Sequence, residues 1–228
     1  MSLKKYKVRC SSLGVICAKK GFAKTGMSKV QEEVKAIIYE RRREIRSKYL
    51  TKGNVAEVDC VDQLNAMYGL EIEKNEKHFS NEWIEGTPDF IEPAFCRDIK
   101  NSYDETTFPL FDEELDHNYL WQMKGYLWLL GMTKGSVDYF LNDLSDELVE
   151  KEAWNEVRRL GLSELDMELF DKTKALYTFS DLPIELRYKN FPVELTDADI
   201  IVIKTNVEKA NEYGNMLLEK YRLKFETK

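Results

Sequence analysis

The sequence has few of the residues that build metal clusters or disulfide scaffolds. It contains four cysteines, none of which forms a C-x-x-C pair or lies beyond Cys96. It contains two histidines, His78 and His117, and neither has a second histidine or a cysteine at ligand spacing, so we expect both at the surface. These absences argue against a zinc ribbon or an iron–sulfur cluster and favour an intracellular, reducing setting with free thiols.

Long apolar runs are also missing. No stretch reaches the ~18 apolar residues that a membrane span needs, and the N-terminus has no hydrophobic signal core. The composition, 43% hydrophobic and 33% charged, is that of a soluble globular protein, and 228 residues can bury a substantial core without disulfides. We therefore expect a cytoplasmic protein without membrane contact, folded as a single domain over 1–228.

Positive charge is in deficit, because the formal net charge is -7 at pH 7. Binding to a polyanion requires local rather than global positive potential. A basic run over 41–52, which includes Arg42 and Arg46, supplies such a region, whereas 138–171 is strongly acidic. The run is either a solvated helix face or one wall of a nucleic-acid groove, and the charge pattern alone favours the solvated face.

Helical and strand patterns alternate along the chain. The spacing of apolar residues predicts helices over 29–50, 54–68, 118–130, 145–173 and 205–224. Short apolar or alternating runs predict strands over 82–91, 94–100 and 135–141, the first two as a hairpin. Ser28 and Gln31 have the spacing of a capping box, and Gly131 is a helix C-terminal signal. The alternation indicates a mixed α/β class, with one small central sheet flanked by helices and a helical extension from about 145.

Charged residues cluster on the predicted hairpin. Asp98 and Lys100 are one residue apart, so they share a face of their strand while Ile99 points into a core. Asp89, on the neighbouring strand, can converge with Asp98. Carboxylate and carbonyl oxygens are the ligands that Mg²⁺ prefers, so Asp89, Asp98 and the main-chain carbonyl of Ile99 are candidate ligands. Lys100 would stand beside an attacking water and a scissile phosphate.

Two helices add polar side chains to this set. Glu57 is a further carboxylate in the helix over 54–68. Gln122 and Tyr126 are four residues apart and share one face of the buried helix. A glutamine that faces the sheet needs a hydrogen-bond partner, for which Lys100 or a water is the candidate.

Each residue has a plainer interpretation on its own. An Asp-x-Lys pair in a strand is usually a surface ion pair, and Gly86-Thr87-Pro88-Asp89 alone is usually a turn. Gln122 and Tyr126 are explained by an ordinary core, and Glu57 by a solvated helix. The specificity of the signal lies in the order and spacing of the whole set.

That order resembles the PD-(D/E)XK nuclease superfamily, and within it the phage-type exonucleases related to lambda exonuclease, the YqaJ nucleases and the RecB nuclease domain. The matching motifs lie within 9–141 and are Gly53-x-x-x-Glu57, Gly86-Thr87-Pro88-Asp89, Asp98-Ile99-Lys100 and Gln122-x-x-x-Tyr126. The resemblance implies a restriction-endonuclease-like core over about 50–141. It implies metal-ligand roles for Asp89 and Asp98, a catalytic lysine at Lys100, a helical acid near the metal at Glu57, and the motif glutamine at Gln122. The family often has Glu at the position of Asp98, and Asp is an accepted variant.

Candidate DNA contacts carry less specific signals. Arg9-Cys10-Ser11-Ser12 resembles the segment that binds the terminal phosphate of DNA in the exonuclease branch, with Arg9 and Ser12 as candidates. The usual segment has Thr-Ala-Ser, and an ordinary serine pair at a turn is an equal alternative. Arg42, Arg46 and Ser102 complete the candidate contacts. The iron–sulfur branch is disfavoured because no cysteine cluster follows the core.

The resemblance implies a Mg²⁺-dependent exonuclease, with Mn²⁺ as a substitute, that acts on double-stranded DNA ends in phage recombination. It implies DNA and a single-strand annealing protein as partners, a homo-oligomer as a further expectation, and the cytoplasm of a bacterial host as the location. The alternatives are a structure- or sequence-specific endonuclease, or a non-catalytic DNA-binding protein on the same fold. The sequence leaves the polarity of cleavage open.

Overall fold

The computed structural model describes residues 5–41 and 59–226, the last five of them as backbone only. The helices are α1 Leu13–Ile16, α2 Lys24–Ile38, α3 over 59–68, α4 His117–Leu130, α5 Asp146–Leu160, α6 Met167–Leu176 and α7 Asp197–Glu226. The strands are β1 Val8–Arg9, β2 Phe79–Ser80, β3 Ile84–Gly86, β4 Phe90–Ile91, β5 Cys96–Asn101, β6 Lys134–Phe140 and β7 Tyr188–Glu194. The predicted residues that lie outside the described ranges are Arg42, Arg46, Gly53 and Glu57.

The strands form two mixed sheets, which confirms the α/β class with flanking helices. One sheet has the order β1-β3-β2 and the other β4-β5-β6-β7, with β5 parallel to β6. The predicted hairpin forms only in part, since β4 pairs antiparallel with β5 while β3 belongs to the other sheet. Pro88, between β3 and β4, has no N–H to continue a ladder, which is the physical reason for the break.

Helix α4 lies at the centre of the molecule, as its apolar pattern predicts. Met123 and Leu127 are fully buried, and the helix packs against α1 and β6. Asp116 caps its start by accepting the main-chain N–H of Asn118 at 2.8 Å, and Gly131 ends it with a φ of 68°. The carboxyl-terminal signal at Gly131 is therefore confirmed.

Two predicted helix starts are wrong. Helix α2 begins at Lys24, and Ser28 is not its cap but lies inside it, with its hydroxyl donating to the carbonyl of Lys24 at 3.0 Å. Helix α7 begins at Asp197 because Thr196 and Asp199 form a reciprocal cap, in which the Thr196 N–H donates to Asp199 Oδ2 at 3.0 Å. At α7 a local polar cap, rather than the first apolar residue, sets the boundary, whereas α2 begins without a side-chain cap.

The predicted helix over 145–173 is two helices, and the segment after it contributes a strand. Gly161, with a φ of 70°, ends α5 before α6 begins. Strand β7 pairs along its whole length with β6, with Phe191 opposite Val137. The predicted helical extension therefore also completes the four-stranded sheet.

Three asparagines of α7 hold the N-terminal segment in place. Asn211 accepts the main-chain N–H of Val8 and Asn215 that of Tyr6, both at 2.9 Å, while Asn206 accepts that of Phe22 at 2.7 Å. These amides satisfy backbone donors that would otherwise need another hydrogen-bond partner. The contacts fix β1, and with it Arg9, against the rest of the core.

All four cysteines are buried thiols, which agrees with the expectation from the sequence. Burial raises the pKa of the Cys17 thiol to about 12, so it remains protonated. Among the described residues, no helix has both the length and the apolar character required to cross a membrane.

Candidate active site

Strand β5 carries Asp98 and Lys100 as a buried ion pair. Lys100 Nζ lies 2.6 Å from Asp98 Oδ2, and the Asp98 side chain is only 1% exposed. Ile99, between them, points to the opposite face and packs in a small core with Phe90 and Phe140. The pair is thus not the solvated surface pair that an isolated Asp-x-Lys suggests.

Asp89 lies at the turn immediately before β4. Its Oδ2 accepts the main-chain N–H of Ile99 at 2.9 Å, so its carboxylate is fixed beside β5. Burial and the neighbouring Asp98 carboxylate raise the pKa of Asp89 well above its usual range, against the opposing effects of Lys100 and the Ile99 N–H. Two carboxylates near one ammonium leave an excess of negative charge that a divalent cation would neutralise.

The oxygen atoms around Asp98 fit a hard cation. Asp98 Oδ2 is buried, and Lys100 Nζ lies 2.6 Å from it in a charge-assisted contact. In a strand the N–H and C=O of one residue point to the same side, so the carbonyl of Ile99 lies on the side of Asp89. Two carboxylates and a carbonyl, completed by waters and substrate, match the preference of Mg²⁺. Within the described ranges no three His, Cys, Asp or Glu side chains form a metal cluster, and Glu57 lies outside them.

Gln122 links α4 to the carboxylates. Its Nε2 donates to Asp98 Oδ1 at 3.2 Å and to the hydroxyl of Tyr126 at 3.0 Å. The side-chain partners of this amide are therefore Asp98 and Tyr126 rather than the predicted Lys100. Burial and the Asp98 charge raise the pKa of Tyr126, so this residue stays a neutral phenol.

Lys100 remains a cation in this setting. Burial lowers its pKa, but Asp98 and Asp89 raise it more, and the net direction is upward. Its ammonium also lies 5.0 Å from the ring centre of Tyr119, a cation–π contact. Tyr119 was not predicted from the sequence, although its position three residues before Gln122 places it on the same face of α4.

Gly86 has a packing role in the Gly86-Thr87-Pro88-Asp89 turn. A Cβ at Gly86 would lie 2.7 Å from the Tyr126 ring and 3.0 Å from the Cys10 sulfur. The absence of a side chain therefore lets β3 approach α4 three residues before Asp89.

Of the candidate DNA contacts that the structure describes, Arg9 lines a cavity and the two serines are buried. Arg9 lies opposite Glu85 in the pairing of β1 with β3 and lines a cavity of about 330 Å³. Ser12 is buried, and its hydroxyl donates to Glu33 at 2.5 Å. Ser102 is also buried, and its hydroxyl donates to the carbonyl of Thr107 at 3.2 Å.

A second polar network occupies the other face of β5 and was not predicted. Arg97 Nε donates to Glu92 at 2.7 Å, and Arg97 Nη1 lies 3.5 Å from Asp138, which is fully buried. Asp138 also accepts hydrogen bonds from Tyr188 at 2.5 Å and Asn190 at 2.8 Å. The network ties β5, β6 and β7 together behind the candidate site.

Comparison with solved structures defines the class: the chain has the fold of the phage-type exonucleases, which supports the PD-(D/E)XK resemblance. A phage-related exonuclease from Haemophilus somnus 129PT is similar with a TM-score of 0.77 and 26% sequence identity, covering 96% of this chain and 98% of that one. The alkaline exonuclease LHK-Exo from Laribacter hongkongensis has a TM-score of 0.66 at 14% identity, covering 97% and 94%. LHK-Exo in complex with dAMP has a TM-score of 0.67 at 15% identity, covering 97% and 94%. No protein-family model and no curated protein matches the sequence.

Proposed function

We propose that the protein is a metal-dependent DNA exonuclease that hydrolyses phosphodiester bonds at double-stranded DNA ends. The observation that carries this proposal is the meeting of Asp89, Asp98, Lys100 and Gln122 on an exonuclease fold. A single nuclease domain acting in phage recombination, in the cytoplasm of a bacterial host, belongs to the same proposal. The proposal also includes a single-strand annealing protein as partner and a homo-oligomeric state, both of which the family resemblance implies.

The metal in this proposal is Mg²⁺, with Mn²⁺ as a substitute. Asp89, Asp98 and the carbonyl of Ile99 would hold it, and Glu57 would contribute through a water. When bound, such an ion supplies Lewis-acid stabilisation of phosphate charge and lowers the pKa of a coordinated water. The support is the excess of buried carboxylate charge at Asp89 and Asp98, which the single ammonium of Lys100 offsets only in part.

Lys100 is the catalytic cation in this account. Because its pKa is raised, Lys100 stays an ammonium, so it donates hydrogen bonds and does not accept a proton. The Lys100 side chain is 22% exposed, and Asp98 holds its Nζ in place. From this position Nζ can reach an attacking water or a phosphate oxygen at the open side of the site. There it orients the water and stabilises the negative charge that develops on the phosphate.

Gln122 and Tyr126 act as positioning residues. Gln122 fixes one oxygen of Asp98 while Lys100 contacts the other, so the carboxylate cannot rotate freely. The hydroxyl of Tyr126 accepts from Gln122 and sets the orientation of its amide. Holding a metal-binding carboxylate in one orientation raises metal affinity.

We assign Arg9, Ser12, Arg42 and Arg46 to the DNA path. Arg9 supports this because it lines an open cavity beside β3, the strand that leads to Asp89. For Ser102, whose hydroxyl is used within its own loop, we propose an indirect role in shaping the loop after β5.

The test uses linear duplex DNA labelled at either end, together with a covalently closed circle of the same sequence. An exonuclease releases label from the linear duplex in Mg²⁺ and leaves the circle intact. Cleavage of the circle would instead identify an endonuclease. Binding of both substrates without Mg²⁺-stimulated cleavage would identify a non-catalytic DNA-binding protein.

A further inference from the structure

The ring of Tyr119, on α4, covers one side of the Lys100 ammonium. Lys100 Nζ lies 5.0 Å from the centre of this ring and 2.6 Å from Asp98 Oδ2. The face of an aromatic ring attracts a cation, and it does so more strongly where water is excluded. Lys100 is therefore held by two different groups, a carboxylate on its own strand and a ring on the neighbouring helix.

A row of aromatic rings keeps Tyr119 in this position. Tyr139 lies directly opposite Lys100 in the pairing of β5 with β6. The rings of Tyr119 and Tyr139 meet edge to face, with their centres 6.2 Å apart and their planes at 75°. Tyr139 meets Phe191, on β7, in the same way at 5.7 Å. Because such pairs are favourable beyond the area that they bury, the contact with Tyr139 opposes rotation of the Tyr119 ring away from Lys100.

The hydroxyl of Tyr119 has no structural task in the part of the chain that the structure describes. It forms no hydrogen bond within 5–41 or 59–226, and it is not among the buried polar atoms that lack a partner, so it reaches solvent. The hydroxyl of Tyr126, in contrast, accepts a hydrogen bond from Gln122. The part of Tyr119 that touches the candidate active site is therefore its ring.

Two carboxylates compete for the Lys100 ammonium. Asp98 lies within ion-pair distance of Nζ, whereas Asp89, fixed beside β5 by the N–H of Ile99, lies beyond it. Because a second carboxylate adds to the attraction, an ammonium on a flexible four-carbon stem would move toward Asp89 if the ring were absent. It would then bridge the oxygens that the proposed metal needs.

We propose that Tyr119 is a positioning residue that holds the Lys100 ammonium away from Asp89, so that Asp89 and Asp98 stay available to a divalent cation. The inference rests on the proposed function, because it takes the metal of that proposal as the ligand of the two carboxylates. Tyr119 acts through Lys100 rather than on the substrate. A plainer role, in which Tyr119 only fills space beside Tyr139, would not depend on Lys100.

The first measurement is Mn²⁺ binding without DNA, followed by the loss of the free-ion signal in electron paramagnetic resonance. Tyr119→Leu removes the ring and should raise the Kd for Mn²⁺ by about fivefold, within the ~2- to 30-fold that a cation–π contact is worth. Tyr119→Phe keeps the ring, so its Kd should stay within about twofold of the wild-type value.

A double-mutant cycle separates this role from a structural one. In Lys100→Met no ammonium remains to compete for the carboxylates, so the addition of Tyr119→Leu should leave the Kd for Mn²⁺ unchanged. If Tyr119 only supported the packing, Tyr119→Leu would weaken Mn²⁺ binding to the same extent with or without Lys100.

The second measurement is nucleotide release from linear duplex DNA at saturating Mg²⁺. Tyr119→Leu should lower kcat by about tenfold, because Lys100 is no longer held in one place, and a misplacement of ~1 Å can cost ~10²-fold. The KM for DNA should stay at the wild-type value, since the ring does not hold the duplex. Tyr119→Phe should retain the wild-type kcat.

The matched control is Trp128→Leu. It removes a half-buried ring from the same helix, and Lys204 Nζ lies 5.7 Å from the centre of that ring. The Kd for Mn²⁺ and the kcat should stay at the wild-type values in this variant. Thermal unfolding of each variant establishes that it is folded at the temperature of the assay.

The inference is overturned if Tyr119→Leu and Trp128→Leu bind Mn²⁺ equally tightly, or if the effect of Tyr119→Leu persists in Lys100→Met. It is also overturned if Tyr119→Phe loses as much as Tyr119→Leu, since the hydroxyl would then be the active group. Nucleotide release by the wild type alongside any of these results would reject the role of Tyr119 and keep the proposed function. Failure of the wild type to bind Mn²⁺, or binding that Asp98→Asn leaves unchanged, would reject the proposed metal site and the inference with it.

Discussion

Gln122 donates a hydrogen bond to Asp98 over 3.2 Å, from α4 to the neighbouring strand β5. The same amide nitrogen lies 3.0 Å from the Tyr126 hydroxyl, while Lys100 lies 2.6 Å from the other oxygen of Asp98. The carboxylate is thereby fixed from both sides. Its orientation depends on α4, which carries none of the proposed metal ligands.

Gln122→Ala should weaken metal binding without abolishing the fold. The amide is half-buried, and its loss leaves Asp98 Oδ1 without this donor. We expect the Mg²⁺ concentration for half-maximal cleavage to rise by ~10- to 100-fold, the usual effect of removing a partner of a metal ligand. Tyr126→Phe removes only the hydroxyl that accepts from the Gln122 amide, so it should raise this Mg²⁺ concentration by less. An unchanged Mg²⁺ titration for Gln122→Ala would contradict the positioning role.

Asp89→Asn should abolish the stabilisation of the folded protein by Mg²⁺. A ligand that binds only the folded state raises its stability by ~2.7 kcal/mol at one hundred times its Kd. We expect Mg²⁺ to raise the melting temperature of the wild type but not that of the variant. Asp62→Asn, at an exposed residue of α3, serves as the control and should respond like the wild type. An equal shift in Asp89→Asn would place the metal elsewhere.

The ion pair between Lys124 and Asp199 should make stability depend on acid pH. Burial raises the pKa of Asp199, but hydrogen bonds from Lys124, at 2.6 Å, and from Thr196 lower it more, so the folded-state pKa is depressed. A depressed folded pKa contributes stability that is present above the unfolded value and is lost as the pH falls through the folded pKa. Asp199→Asn should therefore lower the melting temperature at pH 7, and the difference from the wild type should shrink steadily below about pH 4. A difference that is constant between pH 7 and pH 2 would contradict this assignment.

Arg97→Met should destabilise the protein strongly. It removes the guanidinium that lies between Glu92 and the fully buried Asp138. Breaking a buried pair by removing one partner typically costs about 3–5 kcal/mol, although the hydrogen bonds to Asp138 from Tyr188 and Asn190 place the expectation at the lower end. Chemical denaturation measures the change. Arg159→Met, which breaks an exposed pair on α5, should leave the free energy of unfolding nearly unchanged, and an equal loss in the two variants would contradict the account.

The sequence predicts best where one local pattern determines the outcome. The apolar run of α4, the Gly131 terminus and the alternation that separates Ile99 from Asp98 and Lys100 all follow from spacing alone. The similarity to solved exonucleases agrees with the order of the motifs. These features need no knowledge of which distant segments meet.

The features that were missed depend on tertiary contacts. The partner of Gln122 is a residue that lies 24 positions earlier, and Arg97 reaches Asp138 across 41 positions. Glu33 reads as one more acid on an amphipathic helix until α2 packs beside Tyr6 and Ser12. The reciprocal cap of Thr196 and Asp199, in contrast, is a local signal that the sequence contains and that the apolar pattern obscured.

The most direct test of the central claim is the release of nucleotides from linear duplex DNA in Mg²⁺ by the wild type and by Lys100→Met. Lys134→Met, at an exposed lysine on β6, is the control for loss of a positive charge. The account predicts nucleotide release by the wild type and the control. In Lys100→Met the rate of release should fall by ~10²- to 10³-fold while duplex binding is retained. Undiminished release by a folded Lys100→Met variant would contradict it.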